Sequence, residues 1–185
     1  MHVLNWCKIS LDEGRFTWNH DYVLKHMLQQ MFQAKTHSPT LYADMKGFKI
    51  NHSTIPADII STAVRPDLVI VNRNEKRIEL LELTCSFESN AESAHQLKFR
   101  KYLDLQEDLQ NMGWSVQLLP FEIGSRGHIS KRNKDSINQC LKRNQMKVNN
   151  NKLFKDLSKI SLLCSFVIFQ AHCQPAWQAP PLLHP

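Results

Sequence analysis

The sequence predicts an α/β fold, a mixed four-stranded sheet flanked by helices. Three observations predict it. Two short apolar runs, 68–71 and 78–83, flank a polar stretch at 72–77, which is the pattern of a hairpin. A stretch from about 91 to 112 then has no Gly or Pro and carries Leu97, Tyr102, Leu105 and Leu109 at helical spacing. The run "WSVQLLPFEI" returns to a strand pattern. A hairpin, a helix and a further strand make a mixed sheet with helices packed against it.

The other elements follow in chain order. Residues 12–14 read as a turn. "NHDYVLKHMLQQMFQAK" places Tyr22, Val23, Met27, Leu28, Met31 and Phe32 on one helical face, with Asn19 or Asp21 as the cap. Its methionines read as core packing. Ser38-Pro39 ends it, and "TLYADMKGFKI" reads as a first strand over 40–50. Residues 51–66 are polar, contain Pro56 and Pro66, and read as a loop. Gly113 stops the long helix. The fourth strand ends at Pro120 or shortly after it, "GSRGH" is a tight turn, and 129–147 is a basic helix. "VNNNK" marks a break. "ISLLCSFVIF" is a buried C-terminal helix or strand, too short for a bilayer, which needs roughly 20 apolar residues. The Pro-rich end, "QPAWQAPPLLHP", reads as extended. No internal repeat is present.

The 185 residues are 42% hydrophobic and 22% charged, which suits one packed domain with tails and argues against wholesale disorder. The net charge is +6. Most of that excess comes from 131–147, where Lys131, Arg132, Lys134, Lys142, Arg143 and Lys147 face the single acid Asp135. Such a segment suits nucleic acid or another anionic partner, or is a solvated helix face. Five scattered cysteines give no disulfide framework and point to a reducing compartment. The N-terminus lacks the basic-then-apolar pattern of a signal peptide. The expectation is an intracellular protein with no membrane span.

The hairpin raises a question of charge. Centring its turn between Asn74 and Glu75 sets Asp67 opposite Glu82 on one face, with Cβ atoms about 4.5–5.5 Å apart. Opposed like charges destabilise a sheet unless something compensates, and a shared divalent cation is the simplest compensation. The bland alternative is that Asp67 caps the strand and Glu82 finds an Arg or Lys. Glu79 falls on the other face and reads as solvated. Glu88 precedes the long helix, as its N-terminal cap or as a further metal-side acid.

"RPDLVIVN", "ELLELTCSFESNAESAHQLKFRKYLDL" and "GSRGHISKRNK" resemble, in that order, the restriction-enzyme-like endonuclease region of non-LTR retrotransposon (reverse transcriptase) polyproteins, within the PD-(D/E)XK nuclease superfamily. The resemblance covers roughly 20–145. It implies a restriction-endonuclease-like core over 19–147, preceded by a remnant of a zinc knuckle and linker over 1–18 and followed by a helix and Pro-rich tail over 148–185. It also implies a C-terminal fragment of a larger polyprotein. His2 and Cys7 resemble the last half of that knuckle. Two ligands cannot complete a tetrahedral zinc site, so no complete zinc site is expected.

By this resemblance Asp67 and Glu82 are the metal ligands, for Mg²⁺ or Mn²⁺. The superfamily's usual lysine lies two residues after the second acid, where this chain has Thr84. Lys98 on the next helix is the first candidate to replace it, then Lys101. Arg65, opposite Thr84 in the same register, can stabilise charge but cannot act as a base. The backbone N–H groups of "GSRG" and the Arg126 side chain are candidates to hold a neighbouring phosphate. Lys131, Arg132 and Lys134 would track a DNA backbone. Three functions stay open: a metal-dependent DNA endonuclease, an inactive nucleic-acid-binding relic of a truncated retrotransposon reading frame, and an unrelated basic α/β interaction domain. An enzyme acting on genomic DNA would be nuclear.

Overall fold

The computed structural model of the protein describes residues 4, 7–34, 39–45, 54–174 and 176–180. His2 and most of the predicted extension of the first strand lie outside them. The elements are α1 (Lys8–Asp12), α2 (Arg15–Ala34), β1 (Thr40–Ala43), β2 (Leu68–Asn72), β3 (Arg77–Ser86), α3 (Ala91–Lys101), α4 (Leu103–Asn111), β4 (Ser115–Gly124), α5 (Lys131–Arg143) and α6 (Asn150–Gln170). The four strands form one mixed sheet in the order β1-β2-β3-β4. The β1/β2 and β2/β3 pairs are antiparallel, and β3/β4 is parallel. A parallel neighbour requires a crossover, which α3 and α4 supply.

The hairpin has the register expected of it: Leu68 pairs with Leu81 and Asn72 with Arg77. The turn closes through the Glu75 N–H on the Asn72 side-chain oxygen, 3.2 Å, with Lys76 in the left-handed region at φ 46°. Successive residues of the central strands point to opposite faces. Leu81, Leu83, Leu119, Phe121 and Ile123 pack with α2, α5 and α6. Val69, Val71, Ile78 and Leu80 pack with Tyr102, Leu105, Leu109 and the 54–60 segment. The apolar stretch 160–169 is helical and lies within α6, whose start is capped by Asn149. Among the described residues, no helix is long and apolar enough to cross a membrane.

Several expectations need correction. The first long helix starts at Arg15, after Gly14 at φ 69°, so Asn19 and Asp21 are interior residues and not caps. Phe32 is half exposed and does not join its core face. β4 runs through Pro120 to Gly124, which an edge position permits. The long helix breaks at Tyr102 into α3 and α4. Tyr102, Leu105 and Leu109 are buried, but Leu97 is 71% exposed because α3 turns polar residues toward the sheet.

Glu79 is the largest misreading. It is buried, because α5 covers its face of β3. It accepts from Arg143 Nη1 at 2.9 Å and Cys140 Sγ at 3.0 Å, and it also bonds the Asn144 amide. A buried carboxylate needs such partners, and this set ties β3 to the end of α5.

Candidate active site

Asp67 ends the polar approach to β2, one residue before the ladder, and its carbonyl accepts from Asp44 N–H at 3.0 Å. Its backbone N–H lies 3.2 Å from Glu82 Oε2, so the two acids meet where the register places them. Each carboxylate nevertheless has its own partners. Asp67 Oδ2 accepts from Leu83 N–H at 2.8 Å and contacts His20 Nε2 of α2 at 3.0 Å. Among the described residues Asp67 Oδ1 takes no hydrogen bond. Glu82 Oε1 is 2.6 Å from Lys98 Nζ and 3.1 Å from Lys101 Nζ. Glu82 Oε2 accepts from the Tyr102 hydroxyl at 2.5 Å.

This arrangement changes the electrostatic argument made from sequence. The acid pair does not depend on a bound ion for compensation, because Lys98, Lys101 and His20 already supply positive charge. Burial pushes the Glu82 carboxyl upward, but Lys98, Tyr102 and Lys101 outweigh it and hold the group below its usual range. Burial opposes the charged form of His20, yet its bonds to Asp21 and Asp67 raise it from 6.5 to about 9. His20 is therefore an imidazolium at neutral pH. Burial and Glu82 both push the Tyr102 phenol upward, so it stays a donor.

Hard oxygen donors from one or two carboxylates suit Mg²⁺ or Mn²⁺, which complete their shells with water and substrate phosphate. Asp67 Oδ1 and Glu82 are the residues that could hold such an ion, with both Glu82 oxygens also bonded to Lys98, Lys101, Tyr102 and the Asp67 N–H. Among the described residues no group of three or more His, Cys, Asp or Glu gathers as a metal cage.

The remaining candidates divide. Both lysines proposed to replace the missing one reach Glu82, because they lie one helical turn apart on α3. Arg65 is exposed, and what it brings to the site is its backbone carbonyl, 3.2 Å from the Tyr102 hydroxyl. Thr84 Oγ1 is buried without a partner on the face that carries Glu82. Glu88 is not a helix cap. It accepts from Arg126 N–H at 2.8 Å and Arg126 Nε at 3.2 Å.

The "GSRG" amides are already committed: Gly124 to His128 carbonyl, Ser125 to Ser86 carbonyl, Arg126 to Glu88, and Gly127 to Gly124 carbonyl. The turn is thus a structural joint and not an open phosphate cradle. Gly127 is required there, since a Cβ would lie 2.4 Å from the Ser158 carbonyl. Lys131 and Lys134 are exposed on α5, and Arg132 pairs with Glu92 at 3.0 Å. Cys7 Sγ lies 4.0 Å from His172 Nδ1, a pairing across the chain that spacing could not indicate.

Sequence reasoning missed two further groups. His20 has no motif signal, being 47 residues from Asp67. Glu122, on β4 beside Thr84, is buried and lies 2.9 Å through Oε1 from His95 Nδ1. The alternation of β4, with Phe121 and Ile123 on the opposite face, was the one available hint.

No family model matches the chain, and no curated protein matches it. Among solved structures, an N-terminal domain of a reptarenavirus L protein aligns over 82% of this chain and 94% of that one, at a TM-score of 0.37 and 13% identity. A likeness that slight carries no argument about function.

Proposed function

We propose that the chain is a metal-dependent DNA endonuclease domain of retrotransposon type, with a restriction-endonuclease-like core. The observation that supports this best is the arrival of Lys98 and Lys101 from α3 at Glu82 Oε1, beside Asp67. It answers the departure at Thr84, since the cation reaches the acids from the helix instead of the strand.

In this reading Asp67 and Glu82 hold Mg²⁺ or Mn²⁺, which when bound supplies Lewis acidity toward a phosphate oxygen and acidifies a coordinated water. His20 clamps Asp67 Oδ2, and Oδ1 would be the oxygen offered to the ion. Lys98 stabilises charge developing on the phosphate. Tyr102 fixes the Glu82 carboxylate. Lys131, Lys134, Arg132 and Arg126 hold the DNA backbone with little sequence preference. Action on genomic DNA would place the protein in the nucleus.

A second reading, the inactive nucleic-acid-binding relic, draws on the same contacts, since two lysines neutralise Glu82. Plasmid nicking separates them. Wild-type chain is expected to nick supercoiled DNA with Mg²⁺ or Mn²⁺. Asp67→Asn is expected to lose nicking while keeping salt-sensitive DNA binding. Salt-sensitive binding by a wild type that never nicks would select the relic. Neither binding nor nicking would leave the basic interaction domain.

A further inference from the structure

We propose that His95, oriented by Glu122, is the general base that takes the proton of the attacking water, an inference that rests on the nuclease reading. Glu122 pairs in parallel register with Thr84, so it points to the same face as Glu82, one step along the sheet. Glu82 and Glu122 lie on adjacent parallel strands, one same-face step apart, and the attacking water is placed between their two partner sets. Thr84 Oγ1, buried and without a partner, belongs to that same stretch of the face and can donate to or accept from such a water.

Glu122 is held from two sides. Oε1 is 2.9 Å from His95 Nδ1, and Oε2 accepts from Asn133 Nδ2 at 3.0 Å. The same Asn133 amide lies 2.8 Å from the Glu122 carbonyl, and Asn133 is itself fixed by its N–H on Ser130 Oγ at 3.1 Å. A carboxylate facing Nδ1 sets the ring so that Nδ1 carries the proton and Nε2 the lone pair. The ring is 16% exposed, and among the described residues Nε2 has no hydrogen bond. His95 precedes Lys98 by three residues, so both share the face of α3 turned to the sheet, about 5–6 Å apart at Cβ. Lys98 thus reaches Glu82 and His95 reaches Glu122, both on the same face of the sheet.

The step balances without a further reactant. The water oxygen bonds to phosphorus, the bond from phosphorus to the leaving ester oxygen breaks, and the water proton moves to His95 Nε2. The leaving oxygen is protonated by solvent, and His95 later returns its proton to solvent.

The test uses the full chain, with DNA nicking followed under single turnover and DNA affinity measured alongside. His95→Ala is expected to slow nicking by about 10²–10⁴-fold, the usual weight of general-base catalysis, with affinity changed by less than about twofold. Added imidazole is expected to restore part of the rate in His95→Ala and none in Asp67→Asn. His95→Gln keeps a donor for Glu122 but no base. It is expected to fold with the wild-type melting temperature and stay slow, which covers the case where the alanine variant unfolds. A slow His95→Ala that imidazole fails to rescue would make His95 a structural tie and overturn the proposal. Wild-type rates in a folded His95→Gln would overturn it too, while the nuclease reading stands. A wild type that never nicks would overturn both.

Discussion

Tyr102→Phe isolates the bond that fixes Glu82. The hydroxyl lies 2.5 Å from Glu82 Oε2, and the ring is buried. Hydrogen bonds to a charged partner contribute about 1.5–3 kcal/mol. Phenylalanine fills the ring volume, so the cost of a cavity is small. Oε2 keeps the Asp67 N–H at 3.2 Å, which offsets part of the loss. The expected destabilisation is about 2 kcal/mol. Urea unfolding should therefore show a midpoint lower by about 1 M at unchanged slope, taking a slope of about 2 kcal/mol/M. The same substitution in a Glu82→Gln background should cost clearly less, because the charged acceptor is gone. Acid unfolding adds a signed expectation. Glu82 is depressed below its usual 4.5, so its contribution is present above that pH and is lost as pH falls through the folded value. Removing the Tyr102 donor raises the folded value, so the pH-dependent contribution becomes smaller and its loss is complete at a higher pH. A midpoint shift under about 0.3 M, or an equal cost in both backgrounds, would refute the assignment of Tyr102 as the clamp.

Two other perturbations test the surroundings of the site. His20 is raised to about 9, so its ion pair stabilises fully below about pH 6.5 and the contribution disappears as pH rises through about 9. The stability difference between wild type and His20→Gln, about 1–3 kcal/mol near neutrality, should shrink toward zero by pH 10 in parallel denaturant titrations. Glu79→Gln removes the buried charge that faces Arg143, a side chain 33% exposed, and should cost about 1.5–3 kcal/mol by calorimetry or urea unfolding; a cost below about 0.5 kcal/mol would return Glu79 to the solvated role that its sequence context suggests.

The sequence by itself determined the hairpin, two apolar runs around a six-residue polar stretch; its register rested on centring the turn between Asn74 and Glu75, since both strands are buried on both faces and burial alone does not choose a pairing. The family resemblance pointed to Lys98 and Lys101 on the following helix as stand-ins for the missing lysine, and both reach Glu82. Tertiary structure decided what surrounds them. The separations of 47 positions from His20 to Asp67, 27 from His95 to Glu122 and 64 from Glu79 to Arg143 carry no local periodicity that could announce a contact. The burial of Glu79 depends on α5 covering its face. The break at Tyr102 coincides with a phenol reaching a carboxylate on another element. Local propensity and pattern act over a few residues, whereas the partner of a buried charge is chosen by whichever distant segment the packed core brings within bonding distance.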